Sequence, residues 1–113
     1  MDIRDIYTVD IPPSDGHEQS GARPAIIIQA PQYTNQLPTV LIVPLTSRLT
    51  ANSFPGTFLI QADAENGLTM TSVALVFQLR AIDRRRLRRR TGRLSAADLG
   101  QLQQHIKALL QPS

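Results

Sequence analysis

From Ile3 to Phe77 the apolar residues come in short runs rich in Ile and Val, each stopped by proline, glycine or a polar cluster. Runs that short do not fill the turns of a helix, so this part of the chain reads as strands. Ile3, Ile6, Tyr7, Val9 and Ile11 alternate loosely and stop at Pro12-Pro13. Residues 24–30 and 39–45 are apolar at nearly every position, the pattern of strands buried on both faces. Residues 56–60 and 72–77 continue the series, with a short piece at 80–82. Residues 62–66 read as one helical turn ended by Gly67 in a left-handed conformation. A small closed or half-closed barrel is the architecture that hides the edges of so many short strands. The period changes at the end. Ser95 is an N-cap with Asp98 three residues on, and Leu99, Leu102, Ile106, Leu109 and Leu110 fall on one stripe at helical spacing. The expected fold is therefore mainly β with a C-terminal α-helix. It is one domain over residues 1–113, strands to about residue 94 and a helix over 96–110, because no linker or repeat divides the chain.

The chain contains no cysteine, which excludes a disulfide scaffold, a thiolate zinc site and a cysteine nucleophile. Two histidines and scattered carboxylates are a poor ligand set, so no metal dependence is expected. The first twenty residues carry four aspartates and no apolar core of a signal peptide, and no run is long enough to span a membrane, so a cytoplasmic protein is expected. Charge is divided unevenly. Residues 1–66 hold three arginines against seven acids, a net −4, whereas 67–113 hold eight arginines and Lys107 against Asp83 and Asp98, a net +7. Such asymmetry points to an anionic partner for the second half, either nucleic acid or an acidic protein segment.

The loop Gly16-His17-Glu18-Gln19-Ser20-Gly21-Ala22-Arg23-Pro24 is the most unusual stretch. Arg23 stands where loop becomes strand, and a guanidinium on that rigid base can grip a phosphate through two parallel hydrogen bonds. A loop-closing pair with Glu18 is the commoner role for a lone arginine. His17 titrates in the range that suits acid–base work, although an exposed loop histidine is the simpler reading. His105 lies off the apolar stripe and is expected at the surface. Pro44-Leu45-Thr46-Ser47-Arg48 ends a strand with two hydroxyls and a cation, either contacts for a phosphodiester or an ordinary strand exit. Residues 84–90 include six arginines, which could bind RNA phosphates, hold an acidic segment or form a solvated turn anchored by Leu87. Aromatic residues are 4% of the chain and none interrupts this run, so it is not a base-stacking platform. No GxGxxG, Walker A, GxSxG or HExxH motif is present. Metal-free cleavage of RNA remains chemically open, because the 2′-hydroxyl supplies the nucleophile. Arg23, Thr46 and His17 are residue types that such a site uses.

Ile6-Tyr7-Thr8-Val9-Asp10, the G-x-E-Q-x-G-x-R-P loop, Val43-Pro44-Leu45-Thr46-Ser47 and Gln78-Leu79-Arg80-Ala81-Ile82-Asp83 occur in this order, followed by the amphipathic helix. In this the chain resembles, nearly end to end, the MazF/PemK/Kid family of bacterial toxins, the endoribonucleases of toxin–antitoxin pairs. The resemblance implies a small SH3-like β-barrel of the MazF/PemK/CcdB-like toxin fold, forming a homodimer. It implies cleavage of single-stranded RNA without metal or cofactor, leaving a 2′,3′-cyclic phosphate and a 5′-hydroxyl. Arg23 and Thr46 match the family's catalytic arginine and threonine, and His17 falls where the Kid-type branch has a site histidine. Glu18, Gln19, Ser47, Arg48 and Gln78 are implied to border the RNA, the first two also holding the loop's shape. The implied partner is a cognate antitoxin with an acidic or disordered C-terminal segment. Phe77 replaces the acid that many relatives carry before the glutamine, and Leu75 replaces the Kid-type arginine two residues earlier. That acid–base pair is absent, and the arginine–threonine version remains. The alternative is a catalytically impaired module of the same fold that binds antitoxin or nucleic acid. A gyrase-poisoning relative is disfavoured, since that activity uses a tryptophan and the chain has none. The chain begins Met1-Asp2-Ile3-Arg4-Asp5, without the glycine usual before the aspartate, which predicts an altered turn and unchanged chemistry.

Overall fold

The computed structural model describes residues 1–12 and 21–111. Its strands are β1 (Asp5–Ile11), β2 (Gly21–Ile27), β3 (Thr39–Thr46), β4 (Thr57–Ile60), β5 (Ser72–Leu75), β6 (Arg80–Asp83) and β7 (Leu87–Arg93). Two helices join them, the four-residue α1 (Pro31–Thr34) and the C-terminal α2 (Ala96–Leu110), with 3-10 turns at Leu49–Ser53, Val76–Gln78 and Arg84–Arg86. All strand pairings are antiparallel, along the path β4-β5-β3-β2-β1-β7, and β6 pairs with β3 off that path.

Strand β3 carries the topology. Its first half, Thr39 to Ile42, pairs with β6; its last two residues, Leu45 and Thr46, pair with β5; residues 42–44 pair with β2. Pro44 falls in the gap where β3 exchanges β6 for β5, the place where a missing N–H disturbs a sheet interior least. The register places Ile6, Ile26 and Val43 in one row. These three, with Leu45, Phe58, Ile60 and Leu102 of α2, form one core. The alternate residues Val9, Ala25, Ile27, Val40, Ile42 and Ile82 form a second, closed by Tyr7 and Leu87. Both central strands are thus buried on both faces, and each enclosed Ile or Leu contributes about 1.5–3 kcal/mol.

The link Arg84–Arg86 joins β6 to β7, which lie on opposite sides of this sheet, so its ends must curl toward each other around the second core. No ladder joins β6 to β7 among the described residues, so the pairing pattern is that of an open antiparallel sheet. Helix α2 begins as its capping pattern predicts, with the Ser95 hydroxyl accepting from the Asp98 amide at 3.1 Å. Leu99, Leu102 and Ile106 pack on the first core, while Leu109 and Leu110 at the end of the same stripe are exposed.

Strand β7 was hidden in the sequence by its arginines and by two bulges opposite β1, which break any alternation. Its inner side rests on a turn built for close approach. Asn66 is fully buried, donating to the Gln61 carbonyl and accepting from the amides of Asp63 and Leu68. Gly67 follows at φ +70°, the left-handed end expected there, and a Cβ on it would come within 2.1 Å of the Thr91 carbonyl oxygen.

In the first turn Arg4 adopts φ +76°, the sole described non-glycine residue at positive φ. Its amide donates to the Ile27 carbonyl and its carbonyl accepts from the Leu94 amide, so packing holds the strained conformation in place. Arg4→Gly is expected to stabilise the fold by up to about 1 kcal/mol, raising Tm by roughly 4 °C. Gly67→Ala should do the opposite and cost more than about 2 kcal/mol. Thermal denaturation of the two variants reads both signs.

Candidate active site

Arg23 and Thr46 meet because of the β2–β3 register. The ladder ends at the Ala25–Pro44 pair, and two residues beyond it on each strand Arg23 and Thr46 line the same cleft. On its other side Arg23 is paired with Val9 of β1, and Pro24 fixes the backbone next to it. Arg23, Thr46 and Ser47 line one cleft of about 160 Å³, completed by Met70 and Ser72. Arg23 and Ser47 are exposed, and Thr46 is buried. The Thr46 Oγ1 accepts from the Arg48 amide at 3.2 Å, which orients the hydroxyl and leaves its proton to be donated elsewhere. The cleft therefore offers a guanidinium and hydroxyls on rigid strand ends, a donor set for a tetrahedral anion.

The remaining expected residues are distributed differently. Arg48 follows Ser47 and is exposed, and Gln78 is half-buried in the Val76–Gln78 turn; neither lines the cleft. His17, Glu18 and Gln19 lie outside the described residues.

A second, apolar cleft of about 410 Å³ was not evident in the sequence. Phe54, Pro55 and Phe77 form one side, and His105 and Leu109 of α2 the other. The rings of Phe54 and Phe77 lie 5.7 Å apart, and the Phe77 amide donates to the Gly56 carbonyl. His105 is half-buried here, not a surface residue, because its ring stacks on Phe58 at 5.2 Å with the planes 6° apart. The helical pattern gave no signal for this, since Phe58 is brought beneath α2 only by the sheet.

The model of PemK-like, MazF-like toxins of type II toxin–antitoxin systems matches residues 3–110. The chain belongs to this toxin family. The solved MazF of Deinococcus radiodurans (Form-I) superposes with a TM-score of 0.83 at 26% identity, over 99% of this chain and 97% of that one. A MazE–MazF structure (Form-II) from the same organism gives 0.74 at 27% identity, over 100% and 97%. A mycobacterial endoribonuclease in complex with its cognate antitoxin shares the fold, with a TM-score of 0.77 at 17% identity, over 100% and 98%. Among the described residues of this family member no helix is long and apolar enough to cross a membrane.

The arginine run of this PemK/MazF-like chain is largely exposed, with Leu87 packed on the second core. It is a 3-10 turn leading into β7, and among the described residues three of its six arginines have carboxylate partners. Arg85 pairs with Asp83 at 2.8 Å, Arg88 with Asp10, and Arg90 with the buried Asp5 at 3.2 Å. Asp83 also accepts the Arg85 amide, capping the turn. The Arg85 guanidinium and amide hold the Asp83 carboxyl down to about 2. Because this value lies below that of the unfolded chain, the pair favours folding above about pH 4. That contribution is lost as pH falls through about 2. In an NMR titration Arg85→Gln should return Asp83 toward the ordinary carboxylate range, leaving the other aspartates unchanged.

Proposed function

We propose that this toxin-family protein is a metal-independent endoribonuclease that cleaves single-stranded RNA, with messenger RNA as its target. The observation that carries the reading is the shared cleft of Arg23 and Thr46, the two residues to which the sequence resemblance gives the catalytic roles. In this reaction the ribose 2′-oxygen attacks the adjacent phosphorus, the bond to the 5′-oxygen breaks, and the products are a 2′,3′-cyclic phosphate and a 5′-hydroxyl. The proton lost by the 2′-hydroxyl passes to a base, and the leaving 5′-oxygen takes one up. Arg23 stabilises the charge that grows on the phosphoryl oxygens, and Thr46 donates its hydroxyl to the same group. His17 serves as the acid or base. Ser47, Arg48, Gln78, Glu18 and Gln19 border the strand.

In the same reading the protein acts in the cytoplasm as a homodimer, its sheet serving as a half-closed SH3-like barrel. It is restrained by a cognate antitoxin whose acidic or disordered C-terminal segment occupies the RNA site. Antitoxin complexes among the solved relatives support that partner. The alternative, a binding module without catalysis, is favoured by one observation: Phe77 stands where relatives carry an acid, and it packs against Phe54.

Incubation with a long single-stranded RNA in EDTA, followed by mapping of the fragment ends, separates the two. Discrete cuts ending in cyclic phosphate are expected, and RNA left intact by the folded protein would overturn the nuclease reading. Arg23→Ala should lower the cleavage rate by about 10²–10³-fold, and Thr46→Val should lower it with the Tm changed by only a few degrees. Full activity in Arg23→Ala would remove that residue from the mechanism.

A further inference from the structure

Resting on the nuclease reading, we infer that Met70 is a specificity-determining residue, whose side chain seats a nucleobase adjoining the phosphate that is cut. Strand pairing brings it there. Thr46 is the ladder partner of Val73, so the segment that enters β5 arrives beside the hydroxyl of the cleft. Leu68, Met70 and Ser72 of that segment line the same cleft of about 160 Å³ as Arg23, Thr46 and Ser47. The backbone around Met70 is tied down on both sides. Leu68 packs against the first core, and its amide donates to Asn66 Oδ1 at 3.0 Å. The hydroxyl of the buried Ser72 donates to the Met70 carbonyl at 3.1 Å. The side chain between these anchors belongs to neither core, and Met70 is 58% exposed.

The lining separates two tasks. The guanidinium and the hydroxyls suit the phosphate, but the base attached to it presents a flat apolar face. Among the described residues no aromatic side chain lines this cleft, so none offers a ring to stack on. Leu45 is fully buried and Leu68 is held by the core, which leaves Met70 as the large apolar side chain that is exposed there. Its thioether is flexible and polarisable, and sulfur packs favourably against aromatic rings, so it can follow a base that the rigid strand ends cannot. The guanidinium in the same cleft favours an occupant that brings an anion and a ring together, as a nucleotide does.

The chain holds two methionines, so full-length protein with isotope-labelled methionine methyls gives a direct NMR readout, Met70→Leu assigning the signals and Met1 serving as reference. It is titrated with 2′-deoxy tetranucleotides of adenine, cytosine or thymine, which lack the nucleophile, and with the abasic tetramer of the same backbone. At least one base-carrying tetramer should move the Met70 methyl proton upfield by its ring current. The abasic tetramer should leave that methyl in place while shifting the Arg23 and Ser47 amides. Met70→Ala should weaken the base-carrying tetramer by about 2–10-fold and leave the abasic one unchanged, and Met70→Leu should keep most of the affinity. On RNA that is cut, Met70→Ala should raise KM by the same factor with kcat unchanged. A Met70 methyl that stays in place, or that moves equally with the abasic tetramer, would overturn the seat. So would an equal loss for both tetramers in folded Met70→Ala, or no binding of any tetramer. A shift given only by an acidic peptide carrying phenylalanine would overturn it too, assigning the thioether to a protein partner. Cleavage of ordinary RNA is scored separately. Normal cleavage with an unmoved methyl rejects the seat alone, and a base-dependent shift without any cleavage rejects the nuclease reading alone.

Discussion

The structure depends on one eight-residue strand that must satisfy three neighbours. β3 pairs with β6 over its first half and β5 over its last residues, with β2 along the other edge. Its side chains enter two different cores, Val40 and Ile42 one of them, Val43 and Leu45 the other. A slip of one residue would exchange the two sets, so burial on both faces fixes the register strongly. Thr46 is the last residue of this strand, two beyond the Ala25–Pro44 pair, and shares a cleft with Arg23. The packing of both cores therefore also fixes where Thr46 stands at the end of its strand.

Charge is organised around the arginine strand in a similar way. A run of like charges on adjacent residues is costly to order, and three aspartates, each from a different position in the chain, meet three of its arginines. The net −4 of the first sixty-six residues and the net +7 of the remainder are thus partly folded onto each other. Aspartates of β1 face the arginines of β7 across an antiparallel ladder. Of the rest, Arg84 and Arg89 are exposed and Arg86 is half-buried.

The apolar cleft between Phe77 and α2 has the opposite character. Phe77 makes an aromatic contact with Phe54 and lines this cleft. The C-terminal stripe of α2 follows suit: Leu109 borders this cleft and is left exposed, although the pattern that placed Leu102 in the core is continuous through it.

Much of this was legible in the sequence. Short Ile/Val runs between Pro and Gly marked five of the seven strands, and Arg80 to Ile82 a sixth, because hydrophobic pattern and turn chemistry act locally. Ser95 and Asp98 marked the start of α2 for the same reason. The motif residues of the cleft were legible as a resemblance, Arg23 and Thr46 as the pair to examine. Strand β7 was not legible. Its stability comes from Gly67, Asn66, and the acids Asp5 and Asp10 far away in sequence, none of which a seven-residue window of arginines contains. Nor could the helix pattern assign His105, whose stacking partner Phe58 lies on another element. The sequence by itself determined which segments would be strand or helix and which chemistry the chain carried. Only the tertiary structure decided which arginines have their charge met and which groups share a cleft, because those depend on register across strands distant in the chain.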